Sequence, residues 1–387
     1  MPFIGRERTL FRLFGLPIKA DISWLFLVAL VVVSLAYGWF PDPARLGPHM
    51  RWYVYWGLAL AGAAGLFASL IVHEMCHSLV ARKTGMPVAG ITLFIFGGVS
   101  QLEDEPPTAA SEFFMAVVGP LASVAIGAVC LIIRLAGSPL GWPRGLLALV
   151  GFLAFINFML AAFNSLPAFP LDGGRVLRSI LWGITQDLRL ATSIAVQIGS
   201  AFGLGLIILG VFLLFRANPV SGIWLMVIGF FLRQAAAGSL RMVIMRQHLE
   251  GDKVERFMTR DVVTVPQDMS VQEFVDGYVF RHRFSYYPVV DQSGLLVGLL
   301  SARAPRDVPR ELWADTRVAA VMRPAAESVI LDPGADAVDA LSALRTRDEH
   351  RAVVVFNGRP VGIVSLRDLL RFLALKIDLE PRRRSAR

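Results

Sequence analysis

The sequence predicts a polytopic α-helical membrane protein of about six transmembrane helices, followed by a soluble α/β module built as a tandem repeat. Three observations predict it. Of 387 residues, 55% are hydrophobic and only 18% are charged, whereas a soluble domain averages about a quarter charged. Charges are sparse from Trp24 to Phe215, where long apolar runs recur. From about Glu250 the composition is that of a soluble protein, and it contains an internal repeat. The two parts divide as residues 1–248 and 249–387.

The apolar runs place crossings near 21–39, 53–81, 109–133, 145–163, 195–215 and 219–240. Most are long enough for a bilayer core, which takes about 20 residues. The fourth is expected to be the least regular, because Pro167 and Pro170 follow it closely. Arg6, Arg8, Arg12 and Lys19 precede the first run with no clean small-residue cleavage site, the pattern of an anchor and not of a removable leader. Arginine and lysine concentrate on alternate sides: Arg82, Lys83, Arg175, Arg178, Arg189, Arg233, Arg241 and Arg246 fall with the N-terminus. Only Arg45, Arg51, Arg134, Arg144 and Arg216 fall opposite. That asymmetry predicts both termini, and the soluble module, in the cytoplasm of a cell (inner) membrane. Flanking cations also account for the net charge of +8, so no nucleic-acid partner is expected. Cys76 and Cys130 both lie in apolar segments and imply no disulfide framework.

Between the second and third crossings runs "PVAGITLFIFGGVSQLEDEPP". The stretch from Ile91 to Leu102 is rich in β-branched and aromatic residues, with Gly97-Gly98 at its centre, and reads as a strand or hairpin. Open strand edges are not tolerated in lipid, so this β-element must be shielded by protein or lie at the membrane interface.

In the last third, "FMTRDVVTVPQDMSV" is echoed by "VMRPAAESVILDPGADAV", and "YYPVVDQSGLLVGLLSA" by "RAVVVFNGRPVGIVSLRD". Met258 and Met322, Gly298 and Gly362, and Ser301 and Ser365 share one spacing. Each copy reads strand, helix, strand, strand, helix, over about 255–308 and 319–376. The pair resembles tandem CBS domains, a Bateman module, which implies homodimerisation and an adenine nucleotide as candidate partners. The ribose-binding pattern of such domains, Ser or Thr with Asp three residues on, is met by Ser365 and Asp368. The first copy departs from it, because Ser301 is followed by Ala304. A ligand-free docking module is the alternative.

Chemistry concentrates in "IVHEMCHSLVARK". His73 and His77, at i and i+4, project from one helix face, with Glu74 beside them. H-E-x-x-H on a helix is an arrangement of two imidazole zinc ligands and a carboxylate base. His73 lies about 14 Å along the helix from the Arg82-Lys83 end at 1.5 Å per residue. Ionisable groups at that depth are costly and mark function. A catalytic zinc wants a third protein ligand and one open position. The candidate is Asp172 in "NSLPAFPLDGGRV", where Pro167 and Pro170 break the chain after an apolar run. The plainer reading of Asp172 is an N-cap for a helix starting near Gly173. Cys76 points about 100° off the ligand face and reads as packing. His49, His248, His282 and His350 read as surface histidines of loops or the soluble module, and Gly119-Pro120 as a kink with tight helix packing.

H-E-M-C-H in a membrane helix followed by N-x-x-P-x-x-P-L-D-G resembles the site-2 protease family of intramembrane zinc metalloproteases. The added CBS pair resembles the branch that contains the sporulation pro-sigma-factor processing protease. The resemblance implies one Zn2+ per chain held by His73, His77 and Asp172, with Glu74 as catalytic base. It implies that Asn164 lies near the active site, positioning substrate or the oxyanion. It implies that Phe96, Gly97, Gly98, Val99 and Ser100 belong to a membrane-associated β-element that pairs with an extended substrate. The substrate class implied is a single-pass or hairpin membrane protein, of the anti-sigma or pro-sigma type, met in the lipid bilayer. The rival reading is a CBS-regulated ion transporter or channel, in which the same polar residues form a transit site.

Overall fold

The computed structural model describes residues 8–42, 46, 50–86, 88–95, 97–102, 106–216, 219–282, 284–346 and 351–379. The chain forms two compact units that divide between Val243 and Ile244.

Among the described residues, six helices are long and apolar enough to cross a membrane, five within the first unit and the sixth running a few residues past its end. They are α1 (Ile22–Ser34, continued by wider turns over Leu35–Trp39), α2 (Trp52–Lys83), α3 (Ala109–Gly137), α4 (Arg144–Asn164), α6 (Leu188–Phe215) and α7 (Pro219–Leu249). A further helix, α5 (Asp172–Thr185), is too short at 14 residues to join them. The expected crossings all form. The fourth, expected to be irregular, is an unbroken helix, because its prolines fall beyond its last residue, Asn164. Helix α7 runs past its apolar span to Leu249, so a boundary after residue 248 falls in its last turn.

Helix starts are set by local chemistry. Asp21 caps α1, accepting from the Ser23 amide at 2.8 Å, and Asp187 caps α6 through the Arg189 and Leu190 amides. Small residues let helices approach. A Cβ on Gly210 or Gly229 would overlap the Gly222 or Gly203 carbonyl oxygen across the α6–α7 contact, the close packing that replaces hydrophobic driving force in lipid. One polar pair joins α3 to α5: Glu112 and Arg178, 0% and 4% exposed. Arg178 is therefore not the solvated flanking cation that the charge pattern suggested.

The predicted β-hairpin is β3 (Val88–Phe94) with β4 (Gly97–Leu102). Its sheet is larger than the sequence reading allowed. An N-terminal hairpin, β1 (Arg8–Leu13) and β2 (Leu16–Ala20), completes the order β1-β2-β3-β4, with β2 parallel to β3. Its turn places both Phe14 and Gly15 at positive φ, as two-residue hairpin loops prefer. Leu16, Ile18, Ile91 and Leu93 bury one sheet face against Met75 of α2.

The second unit contains two sheets, β5-β6-β7-β8 and β11-β10-β9. Its strands are β5 (Val265–Pro266), β6 (Tyr286–Val290), β7 (Leu296–Ser301), β8 (Arg323–Pro324), β9 (Ile330–Leu331), β10 (Arg351–Phe356) and β11 (Arg359–Ser365). In each sheet a parallel pair, β5–β6 or β9–β10, is followed by an antiparallel hairpin. The second copy has its expected helices, α10 (Ala337–Thr346) and α11 (Leu366–Leu379). The first copy keeps α8 (Val271–Phe274), capped by Ser270 in a reciprocal box with Glu273. It lacks the expected closing helix. Pro305 and Pro309 supply no amide donors there, and short turns Ala304–Asp307 and Arg310–Leu312 lead to α9 (Val318–Val321).

The shared Met and Gly spacings have a tertiary cause. Each copy's opening segment crosses to the other's sheet: β8 pairs with β7, and Thr259 exchanges both backbone hydrogen bonds with Ile363 of β11. There Met322 covers Gly298 and Met258 covers Gly362, so that a Cβ on either glycine would lie 2.7 or 2.6 Å from the methionine sulfur. At Gly298 the Arg323 carbonyl oxygen is as close, 2.6 Å. Gly298→Ala should therefore destabilise the module by about 1–3 kcal/mol as an overpacked site. Hydrogen exchange of the full-length protein should show it as faster exchange in β7 and β8, and unchanged protection there would refute it.

Candidate metal centre

Helix α2 presents His73 and His77 on its buried face, 2% and 7% exposed. The polypeptide after α4 turns through residues 165–171 and enters α5, whose first residue is Asp172. The N-cap position belongs to Leu171, so Asp172 does not act as the N-cap. Its carboxylate instead meets both imidazoles: Oδ2 lies 3.1 Å from His73 Nε2 and 3.2 Å from His77 Nε2, and the two Nε2 atoms are 3.2 Å apart. The sequence separation is 99 residues for the first contact.

Neighbouring groups decide where the protons sit. His77 Nδ1 lies 2.6 Å from the Met115 carbonyl oxygen. A carbonyl only accepts, so Nδ1 carries the hydrogen and a neutral ring turns its Nε2 lone pair toward Asp172. His73 Nδ1 is held at 2.9 Å by the Ser123 hydroxyl. Both supports come from α3. Between them Gly119 lies against the rings: a Cβ there would overlap His77 Nε2 and lie 2.8 Å from His73 Nε2.

This donor set fits a zinc ion. Two imidazole nitrogens and a carboxylate oxygen converge on one point, and as neutral rings with hydrogen on Nδ1 the imidazoles would turn lone pairs toward a cation held there. Their separations of 3.1–3.2 Å approach the edge of about 3.3 Å of a tetrahedron with ligand bonds of about 2.0 Å. Among the described residues, His73, His77 and Asp172 form the one group of three or more such side chains close enough to share a metal.

Glu74 is half-buried on the next face of α2, and its backbone carbonyl accepts from the Ser78 hydroxyl at 3.0 Å. A Cβ on Gly98 would sit 2.9 Å from Glu74 Cγ, so β4 passes directly beside this carboxylate. Gly97 and Gly98 open β4, and Val99 and Ser100 continue its backbone; Phe96 lies outside the described residues. Asn164 ends α4 and donates from Nδ2 to the Leu160 carbonyl of its own helix at 3.0 Å. Ser365 and Asp368 are bonded to each other at the start of α11: the Ser365 hydroxyl donates to Asp368 Oδ2 at 2.5 Å, and the Asp368 amide returns to Ser365 Oγ at 3.1 Å. Cys76 and Cys130 are free thiols outside the cluster. His248 is half-buried in the last turn of α7, bonded to the Ile244 carbonyl, and so is not a loop histidine. His282 stacks on Phe284; His49 and His350 lie outside the described residues.

Met115 and Ser123 are not singled out by the sequence; the tight helix packing expected at Gly119-Pro120 is present, and what it packs against is the pair of imidazoles. Gly119-Pro120 was the available signal. A backbone oxygen at Met115 leaves no trace in the choice of side chain. The two glycines after Asp172 also acquire a reason: a Cβ on Gly173 would run into the backbone of Ser165 and Leu166, and one on Gly174 into that of Ala168 and Phe169.

The sequence matches Peptidase family M50 over residues 61–140 and 137–206, and the CBS domain over 254–304 and 318–375. Rip3 of Mycobacterium tuberculosis, named as a putative zinc metalloprotease, is 35% identical over 359 residues, 91% of this chain and 88% of that protein. Zinc metalloprotease MJ0392 of Methanocaldococcus jannaschii is 30% identical over 375 residues, 95% and 96% of the two chains. The solved site-2 protease from the same archaeon is 30% identical and covers 60% of this chain and 94% of its own, with a TM-score of 0.42. Relatives this similar over nearly their whole lengths, together with both domain matches, show that the chain belongs to peptidase family M50: it is a zinc metalloprotease of the site-2 protease type that carries tandem CBS domains.

Proposed function

We propose that this multi-pass membrane protein is an intramembrane endopeptidase, with His73, His77 and Asp172 as the zinc ligands and Glu74 as the general base. The observation that carries the reading is the triangle of Nε2, Nε2 and Oδ2 atoms 3.1–3.2 Å apart on a helix long and apolar enough to cross a bilayer. The transporter alternative gives way to the family assignment.

A bound zinc supplies a Lewis acid for the scissile carbonyl and lowers the pKa of the attacking water. Glu74 takes a proton from that water and passes it to the amide nitrogen that leaves. Met115 and Ser123 hold the imidazoles by their Nδ1 atoms, so the rings enter the reaction already oriented. The peptide must reach this site extended, because a helical substrate shields its carbonyls. β4 ends the sheet order and passes beside Glu74, and an edge strand can accept one further strand by backbone hydrogen bonds. Gly97 and Gly98 keep that edge free of side chains next to the base. Asn164, at the end of α4, is the residue we assign to steadying the substrate there.

The substrate class we infer is a single-pass or hairpin membrane protein, processed in regulated intramembrane proteolysis. Exposed Arg82 and Lys83 close α2, which supports a cytoplasmic face for that helix end and for both termini. The CBS pair is the regulatory module, and Ser365 and Asp368 are its candidate ribose contacts.

Glu74→Gln should retain zinc while cleavage falls about 10²–10⁴-fold. Membrane proteomics of cells carrying this variant should show uncleaved clients accumulating, and undiminished cleavage would sink the mechanism. Gly119→Ala should push a methyl onto both imidazoles and lower zinc affinity about 10–100-fold, as loss of ring positioning does elsewhere. Zinc content after dialysis against a chelator reads this directly. ATP or AMP titrated into the full chain should give a calorimetric signal that Asp368→Ala abolishes. Absence of heat, with no change in cleavage rate, would remove the nucleotide from the proposal.

A further inference from the structure

Outside the metal centre, the first unit buries an ion pair in which both charges lie away from solvent. Glu112 is 0% exposed and Arg178 is 4% exposed. Arg178 Nε and Nη2 both donate to Glu112 Oε1, at 2.6 and 2.5 Å. The guanidinium also lies over the Phe169 ring, 5.2 Å from its centroid.

The location of these three residues matters more than the pairing energy. Glu112 is in the first turn of α3, one turn ahead of Met115, whose carbonyl fixes His77. Arg178 is on α5, the helix that Asp172 begins. Phe169 is in the loop that delivers the chain to Asp172, and its backbone is pressed by Gly199 of α6. The Asp172 carboxylate bonds to His73 and His77 on another helix, so its aim depends on how α5 is placed in the unit. Rotating α5 by one residue swings a side chain by about 100°, enough to remove Oδ2 from both imidazoles.

A buried ion pair is a weak source of stability, because desolvation offsets most of the attraction. An arginine fork whose Nε and Nη2 converge on the single oxygen Oε1 is still a source of geometry, since its donors are rigid and directional. We propose that Glu112 and Arg178 are positioning residues for the metal centre: the pair fixes α5 on α3, and with Phe169 it holds Asp172 in the one placement where its carboxylate meets His73 and His77. This rests on the reading of those three residues as the zinc ligands.

The test uses the purified full-length chain with zinc and with Co2+ as a spectroscopic probe. Glu112→Met/Arg178→Met removes both charges of the pair together. Arg178→Lys keeps the charge and loses the fork. Zinc competition against a chelator should show affinity falling about 10–100-fold in the double variant, the range found when groups that orient metal ligands are lost. Arg178→Lys should recover part of that loss. The visible bands of bound Co2+ should shift in both variants, because they report ligand geometry and not folding alone. Wild-type zinc affinity with wild-type Co2+ bands in the double variant would overturn the proposal. Should the double variant fail to fold, Arg178→Lys decides by the same two readouts. Asp172→Ala separates the underlying reading: zinc affinity unchanged in that variant would reject the ligand assignment itself, and the clamp with it.

Discussion

Polar groups within a bilayer must find their partners inside the protein, and the first unit is organised around that constraint. Three ionisable side chains meet with little exposure, and each meets a specific atom. His77 has the Met115 carbonyl, His73 has the Ser123 hydroxyl, and Asp172 has both imidazoles. The cost of leaving any one unpaired in hydrocarbon is several kcal/mol. The same requirement orients the cluster, because each ring is held at Nδ1 and turns its Nε2 toward Asp172. Burial and function are here one problem with one solution.

Close packing then depends on absent side chains. Gly119 allows α3 to lie against the two imidazoles, Gly173 and Gly174 allow α5 to start against the loop before it, and Gly199 admits the backbone of Phe169. The soluble unit uses the same device in another setting, where Gly298 and Gly362 receive Met322 and Met258 from the opposite copy. In the membrane unit the missing Cβ lets polar geometry form. In the soluble unit it lets two copies exchange segments and share one structure.

The residues at the centre differ in exposure. The histidines are 2% and 7% exposed, while Glu74 is half-buried and borders β4. In the mechanism we propose, the histidines only hold a cation and can be sealed, whereas Glu74 carries protons between water and a leaving amine and must be reached. Placing the proposed base at the strand edge and the imidazoles behind it satisfies both demands with one helix, since successive residues of α2 point in directions about 100° apart.

Element types and the chemistry they carry were legible in the order of residues alone. Long apolar runs have few alternatives to spanning helices, H-E-x-x-H states its spacing within one helix, and a duplicated pattern states its own symmetry. Asp172 stood out for the same reason, because a carboxylate placed just after a proline-broken apolar run must find a partner inside the protein. What depends on two distant segments emerged only once the chain was folded. The N-terminal hairpin joins the sheet by a parallel pairing that local pattern does not encode. The closing helix of the first repeat is lost to Pro305 and Pro309 although the second copy keeps it. Met115 acts through a backbone oxygen that every residue possesses, and Arg178, which reads in sequence as a flanking cation, becomes a buried partner of Glu112. Local periodicity reports which face of a helix is apolar; only the assembled packing reports which atom of another helix that face will meet.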